Sequence, residues 1–131
     1  MRTRTVVGTF LVFAAVGVSI LAAAPTLRAV AVTFTQPTLI AGVWVNDTVV
    51  FEHDDDKMAR GEPCTTIYKY DRRQKDRGDV LVSFMCVPRA RPVAEKFEAI
   101  VSTIDFGGTR MLVEYQFEGD NEGHGVPLHV H

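Results

Sequence analysis

Several chemistries are missing from this chain. It has no glycine-rich phosphate loop and no dinucleotide fingerprint. No serine stands in a G-x-S-x-G elbow, so nucleophilic hydrolysis has little support. There are only two cysteines, Cys64 and Cys86, and they lack the C-x-x-C spacing of a thiol oxidoreductase. Internal repeats and low-complexity segments are absent. A helical period is nearly absent too; Pro92 to Phe97 supports one or two turns at most. Basic residues are not in excess, with 14 Lys and Arg against 16 Asp and Glu, which argues against a nucleic-acid partner.

What is present begins with the N-terminus. Arg2 and Arg4 precede an uncharged apolar run from Val6 to Ala24, and Ala29-Val30-Ala31 follows. Basic, apolar and small-residue regions in that order read as a secretory signal. The pattern places the cut after Ala31, with Ala23 and Ala24 as alternatives. The same run is long enough to remain as an uncleaved inner-membrane anchor. No cysteine follows it to carry a lipid, and Arg2 and Arg4 do not form a twin-arginine pair. The expected organisation is a signal peptide or anchor over 1–31 and one small β domain over 32–131. The protein would be exported, periplasmic or secreted, and would touch a membrane only through the N-terminal segment. A cut after Ala31 removes Arg2, Arg4 and Arg28 but no acid, and leaves a more acidic domain.

The remaining chain reads as all-β: an antiparallel sandwich or small barrel of five to seven strands. "GVWVNDTVVFEH" (Gly42 to His53) is rich in strand formers. Asp54 to Pro63 reads as a polar connector. "CTTIYKYDRRQKDRGDVLVSFMC" then folds as a hairpin about Lys75, which places Cys64 opposite Cys86. One face carries Thr66, Tyr68, Tyr70, Val80, Val82 and Phe84. Residues facing one another across an antiparallel pair are close enough for a disulfide, and an oxidising compartment favours one. Gly107-Gly108 predicts a second, tight hairpin with Ile104 opposite Met111 and Ile100 opposite Tyr115.

"FEHDDDKMARGEPC" (Phe51 to Cys64) sets a histidine beside three aspartates. It reads either as a solvated connector or as a cation site using His53 and Asp54. Consecutive acids do not match the alternating ligands of a calcium loop, whereas imidazole suits zinc or copper. "HGVPLHVH" adds His124, His129 and His131. Residues two apart on a strand share a face, so His129 and His131 form a candidate ligand pair. Trp44, Tyr68 and Tyr70 are candidate ligand-lining aromatics. Glu114 and Glu118 read as outward-facing acids on a strand.

"FEHDDDKMARGEPCTTIYKYD", with "SFMC" and "EGHGVP" downstream, resembles a family of small exported bacterial proteins with no assigned activity, over Gly42 to Pro127. The resemblance implies a small exported domain and supplies no catalytic residues. Its members often carry histidine before the second cysteine, where this chain has Met85. Three functions follow as expectations. The first is a disulfide-linked binding or structural module of the cell envelope, with an envelope partner or small ligand, no cofactor and no catalytic residues. The second is a metal-binding protein holding zinc or copper through His53, Asp54, His124 and His129. The third is a small-molecule carrier or enzyme with a cavity inside a barrel.

Overall fold

A computed structural model describes residues 26–130. The signal-like run therefore lies outside the described residues, as does His131. Ten strands and one short helix follow in order: β1 (Leu27–Thr33), β2 (Thr38–Ile40), β3 (Val43–Val45), β4 (Thr48–Asp54), α1 (Asp55–Ala59), β5 (Thr65–Asp71), β6 (Asp76–Phe84), β7 (Val87–Ala90), β8 (Glu98–Thr103), β9 (Arg110–Gln116) and β10 (Glu122–Gly125). The all-β expectation holds. The count among the described residues exceeds five to seven because β2, β3, β7 and β10 are only three or four residues long, too short to show a period of two.

The strands form two sheets. One runs β1-β4-β5-β6. The other runs β3-β2-β9-β10-β7, with β8 on β9. β8 pairs along most of β9, so β2 and β10 must share its second edge, at Met111 and at Glu114–Tyr115 respectively. The β2–β9 pairing is parallel, which the expectation of a purely antiparallel architecture missed.

β1 is a full strand of the first sheet. It pairs with β4 from Leu27↔Asp54 to Thr33↔Thr48. The boundary between 31 and 32 therefore falls inside a strand, whereas a break after Ala23 or Ala24 leaves β1 whole. Among the described residues no helix is long and apolar enough to cross a membrane.

β4 is an inner strand of the four-stranded sheet, buried from Val49 to His53. Phe51 is fully buried and meets Tyr115 of β9 edge-on at 5.3 Å. Phe97 and Phe117 complete the cluster, with ring centres 5.4 Å apart at 74°. Such crossings suit the ring quadrupoles and add about 0.5–1.5 kcal/mol each beyond area burial. One core thus joins both sheets.

Both hairpins form with altered registers. Near the cysteines the pairs are Thr65↔Phe84, Thr66↔Ser83 and Ile67↔Val82, one residue off the expected alignment. Irregularities on either side of Tyr68 then bring Tyr70 opposite Arg77. A one-residue slip exchanges the faces of a strand. Ile67 and Thr65 consequently enter the core, while Val80 is exposed and Tyr68 half-buried. In the second hairpin Leu112 faces Val101 and Tyr115 faces Ala99. The connection is not a two-residue Gly-Gly turn. Asp105 organises it, accepting hydrogen bonds from the Thr109 N–H at 3.0 Å and the Thr109 hydroxyl at 2.8 Å.

Candidate metal centre

His53 ends the buried run of β4 and has a partner strand on each side, Arg28 of β1 and Thr65 of β5. Cys64 immediately precedes β5. Cys86 lies in the link that carries the chain from β6 of one sheet to β7 of the other. His124 lies on β10, opposite Tyr115 and Pro88. These four side chains meet between the sheets. His53 and His124 are fully buried, Cys64 is 3% exposed and Cys86 9%.

Cys86 is the hub. Its Sγ stands 3.5 Å from His53 Nε2 and 3.5 Å from His124 Nδ1. The three ligand atoms all lie within 4.8 Å of one another. The two rings are 4.2 Å apart, and Tyr115 stacks on His124 at 5.0 Å. The Tyr115 hydroxyl is itself engaged by Thr65 Oγ1, and burial pushes its pKa up.

The expected disulfide is not formed: both cysteines are free thiols. Their sulfurs are 2.8 Å apart, against about 2.05 Å for a bond. The register slip removes the direct Cys64–Cys86 pairing on which the expectation rested, although the two side chains still meet. The Cys86 N–H instead donates to Cys64 Sγ at 3.4 Å. The two thiols titrate as a pair. The Cys86 hydrogen bond holds Cys64 far below the ordinary thiol value. The hydrogen bond to Cys64, burial and the charge left on Cys64 push Cys86 up.

Each imidazole has a carboxylate behind it. His53 Nδ1 is 3.2 Å from Asp55 Oδ1, and His124 Nε2 is 3.5 Å from Asp120 Oδ2. Both outer ring nitrogens are buried without a well-aligned hydrogen bond, so these carboxylates are the groups placed to hold their protons. With the protons on those outer nitrogens, Nε2 of His53 and Nδ1 of His124 would present lone pairs to Cys86; Glu122 Oε1 also lies 4.0 Å from His124 Nδ1. Burial, then the neighbouring His53, lowers the His124 pKa and keeps the ring neutral. Neutral imidazole backed by carboxylate is a common arrangement around bound metal ions.

Other candidate residues stand elsewhere. Asp54 caps α1: its Oδ1 accepts from the Asp56 and Lys57 N–H groups at 2.9 and 3.2 Å. Its Oδ1 is thus engaged in the helix cap, and its neighbour Asp55 is the carboxylate that stands against His53. His129 lies on the surface, outside the cluster, near Gly42. Trp44, 58% exposed, and Tyr70 border a surface groove of about 340 Å³. Tyr68 does not; its hydroxyl donates to Glu52 at 3.0 Å. Glu114 is buried rather than outward, gripped by Arg91 at 2.7 Å and Arg89 at 3.2 Å. A side chain at Gly123 would collide with that carboxylate.

Of these residues, His53 and His124 stand out in the sequence as candidate ligands, Cys86 reads first as a disulfide partner of Cys64, and Asp120 carries no expectation. A signal existed: each histidine has an acid within four residues, Asp55 after His53 and Asp120 before His124. No family model, curated protein or solved structure matches the chain.

Proposed function

We propose that this is an exported metal-binding protein that holds a zinc or copper ion between its sheets through His53, Cys86 and His124, with Cys64 as the fourth donor. One observation carries the reading: a single thiol placed equally far from two imidazole nitrogens. Zinc–sulfur and zinc–nitrogen bonds of about 2.3 and 2.0–2.1 Å at a tetrahedral angle require S···N edges of about 3.5 Å. Both edges have that length. The S···S edge would need to open to about 3.8 Å, so Cys64 must withdraw by about 1 Å to join. Thiolate and imidazole together select zinc or copper over calcium or magnesium. Burial of all four donors leaves no open position for a substrate, which favours a closed centre over a hydrolytic one.

The ion would tie β4 and Cys64 of one sheet to β10 of the other. Export rests on the basic and apolar N-terminus, with processing upstream of Leu27 so that β1 survives. Titrating the reduced protein with cobalt(II) tests the metal reading. Thiolate charge-transfer absorption and strong tetrahedral bands, displaced by zinc, are expected. A protein showing neither, with both thiols verified as reduced, contradicts it. A binding module for an envelope ligand is the second reading, and the exposed Trp44 beside its groove supports it.

A further inference from the structure

Behind the two carboxylates stands one cation. Arg28 NH1 is 3.1 Å from Asp120 Oδ2, and Arg28 NH2 is 3.7 Å from Asp55 Oδ2. The guanidinium lies over the Phe117 ring at 5.3 Å. Its side chain is 22% exposed, and its Nε and the facing Asp120 Oδ2 are both buried without a hydrogen-bond partner, so the two contacts are ion pairs rather than aligned hydrogen bonds. Across the sheet, Arg28 is the residue paired with His53. A chain of contacts therefore runs His53–Asp55–Arg28–Asp120–His124, with Cys86 closing the ring on the other side.

We infer that Arg28 is the positioning residue of the metal centre, a single guanidinium that bridges the carboxylates behind both histidine ligands and so sets both rings at once. This rests on the metal reading above. Two carboxylates stand behind adjacent imidazoles, and one guanidinium lies between them. A guanidinium has a planar fork that can reach two acceptors in fixed directions; an ammonium is a single point charge. Arg28→Lys keeps the charge and loses the fork. Asp55 opens α1, directly after β4 of one sheet, and Asp120 lies in the link between β9 and β10 of the other, so the bridge also ties the two sheets together at the site.

Wild-type protein is titrated with cobalt(II) and zinc first; no binding there defeats the metal reading itself. With binding established, Arg28→Lys is expected to raise the zinc Kd by about 10-fold or more, the usual effect of losing a partner behind a ligand. It should also change the cobalt band pattern. Asp120→Asn should weaken binding, and the double variant should lose less than the product of the two single effects, because the residues act through one linkage. Unchanged Kd and cobalt bands in Arg28→Lys, with only a lower melting temperature, would make Arg28 a structural residue and overturn the inference. Tighter binding in Arg28→Gln would overturn it as well, because Arg28 would then act only by repelling the ion. If Arg28→Lys does not fold, Asp120→Asn reads the same bridge from the β9–β10 link, and wild-type affinity there defeats the inference.

Discussion

Replacing Cys86 with alanine removes the one atom that both imidazoles face. The size of the effect follows from linkage. An ion bound by the folded chain alone stabilises it by RT ln(1 + [M]/Kd), about 2.7 kcal/mol at a free metal concentration 100 times Kd. For a domain of this size, 1 kcal/mol moves the melting temperature by about 4–8 °C. Wild-type protein should therefore melt about 10–20 °C higher with zinc than without. Loss of a partner behind a ligand weakens binding by about 10–100-fold, and loss of the shared sulfur should cost at least the upper figure. At the same free zinc concentration [M]/Kd then falls to about one, leaving about 0.4 kcal/mol and a rise of about 2–3 °C. Scanning calorimetry of reduced protein at buffered free zinc measures both rises. Taking the difference with and without metal cancels any packing cost of the substitution itself. A Cys86→Ala variant that keeps the full zinc-dependent rise would refute the geometry.

Three other perturbations follow from the structure. Asp54→Ala should lose the α1 cap and about 0.5–2 kcal/mol of stability while keeping wild-type zinc affinity; a large fall in affinity would restore Asp54 as a ligand. A small disulfide reagent should convert the neighbouring thiols of Cys64 and Cys86 to a disulfide, with their two electrons reducing the reagent to two thiols. Metal binding should then vanish, and bound zinc should slow the oxidation; oxidised protein that still binds zinc as tightly would contradict this. Glu114 is held below its usual value of 4.5, first by the Arg91 hydrogen bond and against its burial. Its stabilisation is complete above the usual value and disappears as pH falls through the depressed one. The stability gap between wild type and Glu114→Gln in urea should therefore be full at neutral pH and shrink in acid; a gap independent of pH would show that the ion pairs contribute nothing.

The parts of this molecule that follow a local period were legible in its sequence. Strand formers from Thr48 to Asp54 and the two hairpins were readable because each depends on neighbours along one chain segment. Register irregularities were not, since two extra residues on β6 opposite Ile67 to Tyr70 leave each strand's own alternation looking intact, while Ile67 is buried and Val80 exposed. The meeting of the two cysteines was correctly expected, but its chemistry was not. Nothing local indicates that β10, far along the chain, brings a histidine to the same sulfur. Arg28 was obscured for another reason. It follows an apolar run and precedes small residues, so its surroundings read as a processing site although it belongs to a strand. Glu114 looked solvated because its two arginines lie on a separate segment, from Arg89 to Arg91.

Whether a buried thiolate–imidazole centre joins the two sheets is decided by metal analysis with X-ray absorption at the metal edge, on untagged protein purified from its own compartment. Close to one equivalent of zinc or copper, with sulfur and imidazole nitrogen in its inner shell, is expected, and both signals should be lost in Cys86→Ala. Metal-free protein that takes up no zinc or copper after reduction, or a bound ion surrounded only by oxygen, would contradict it.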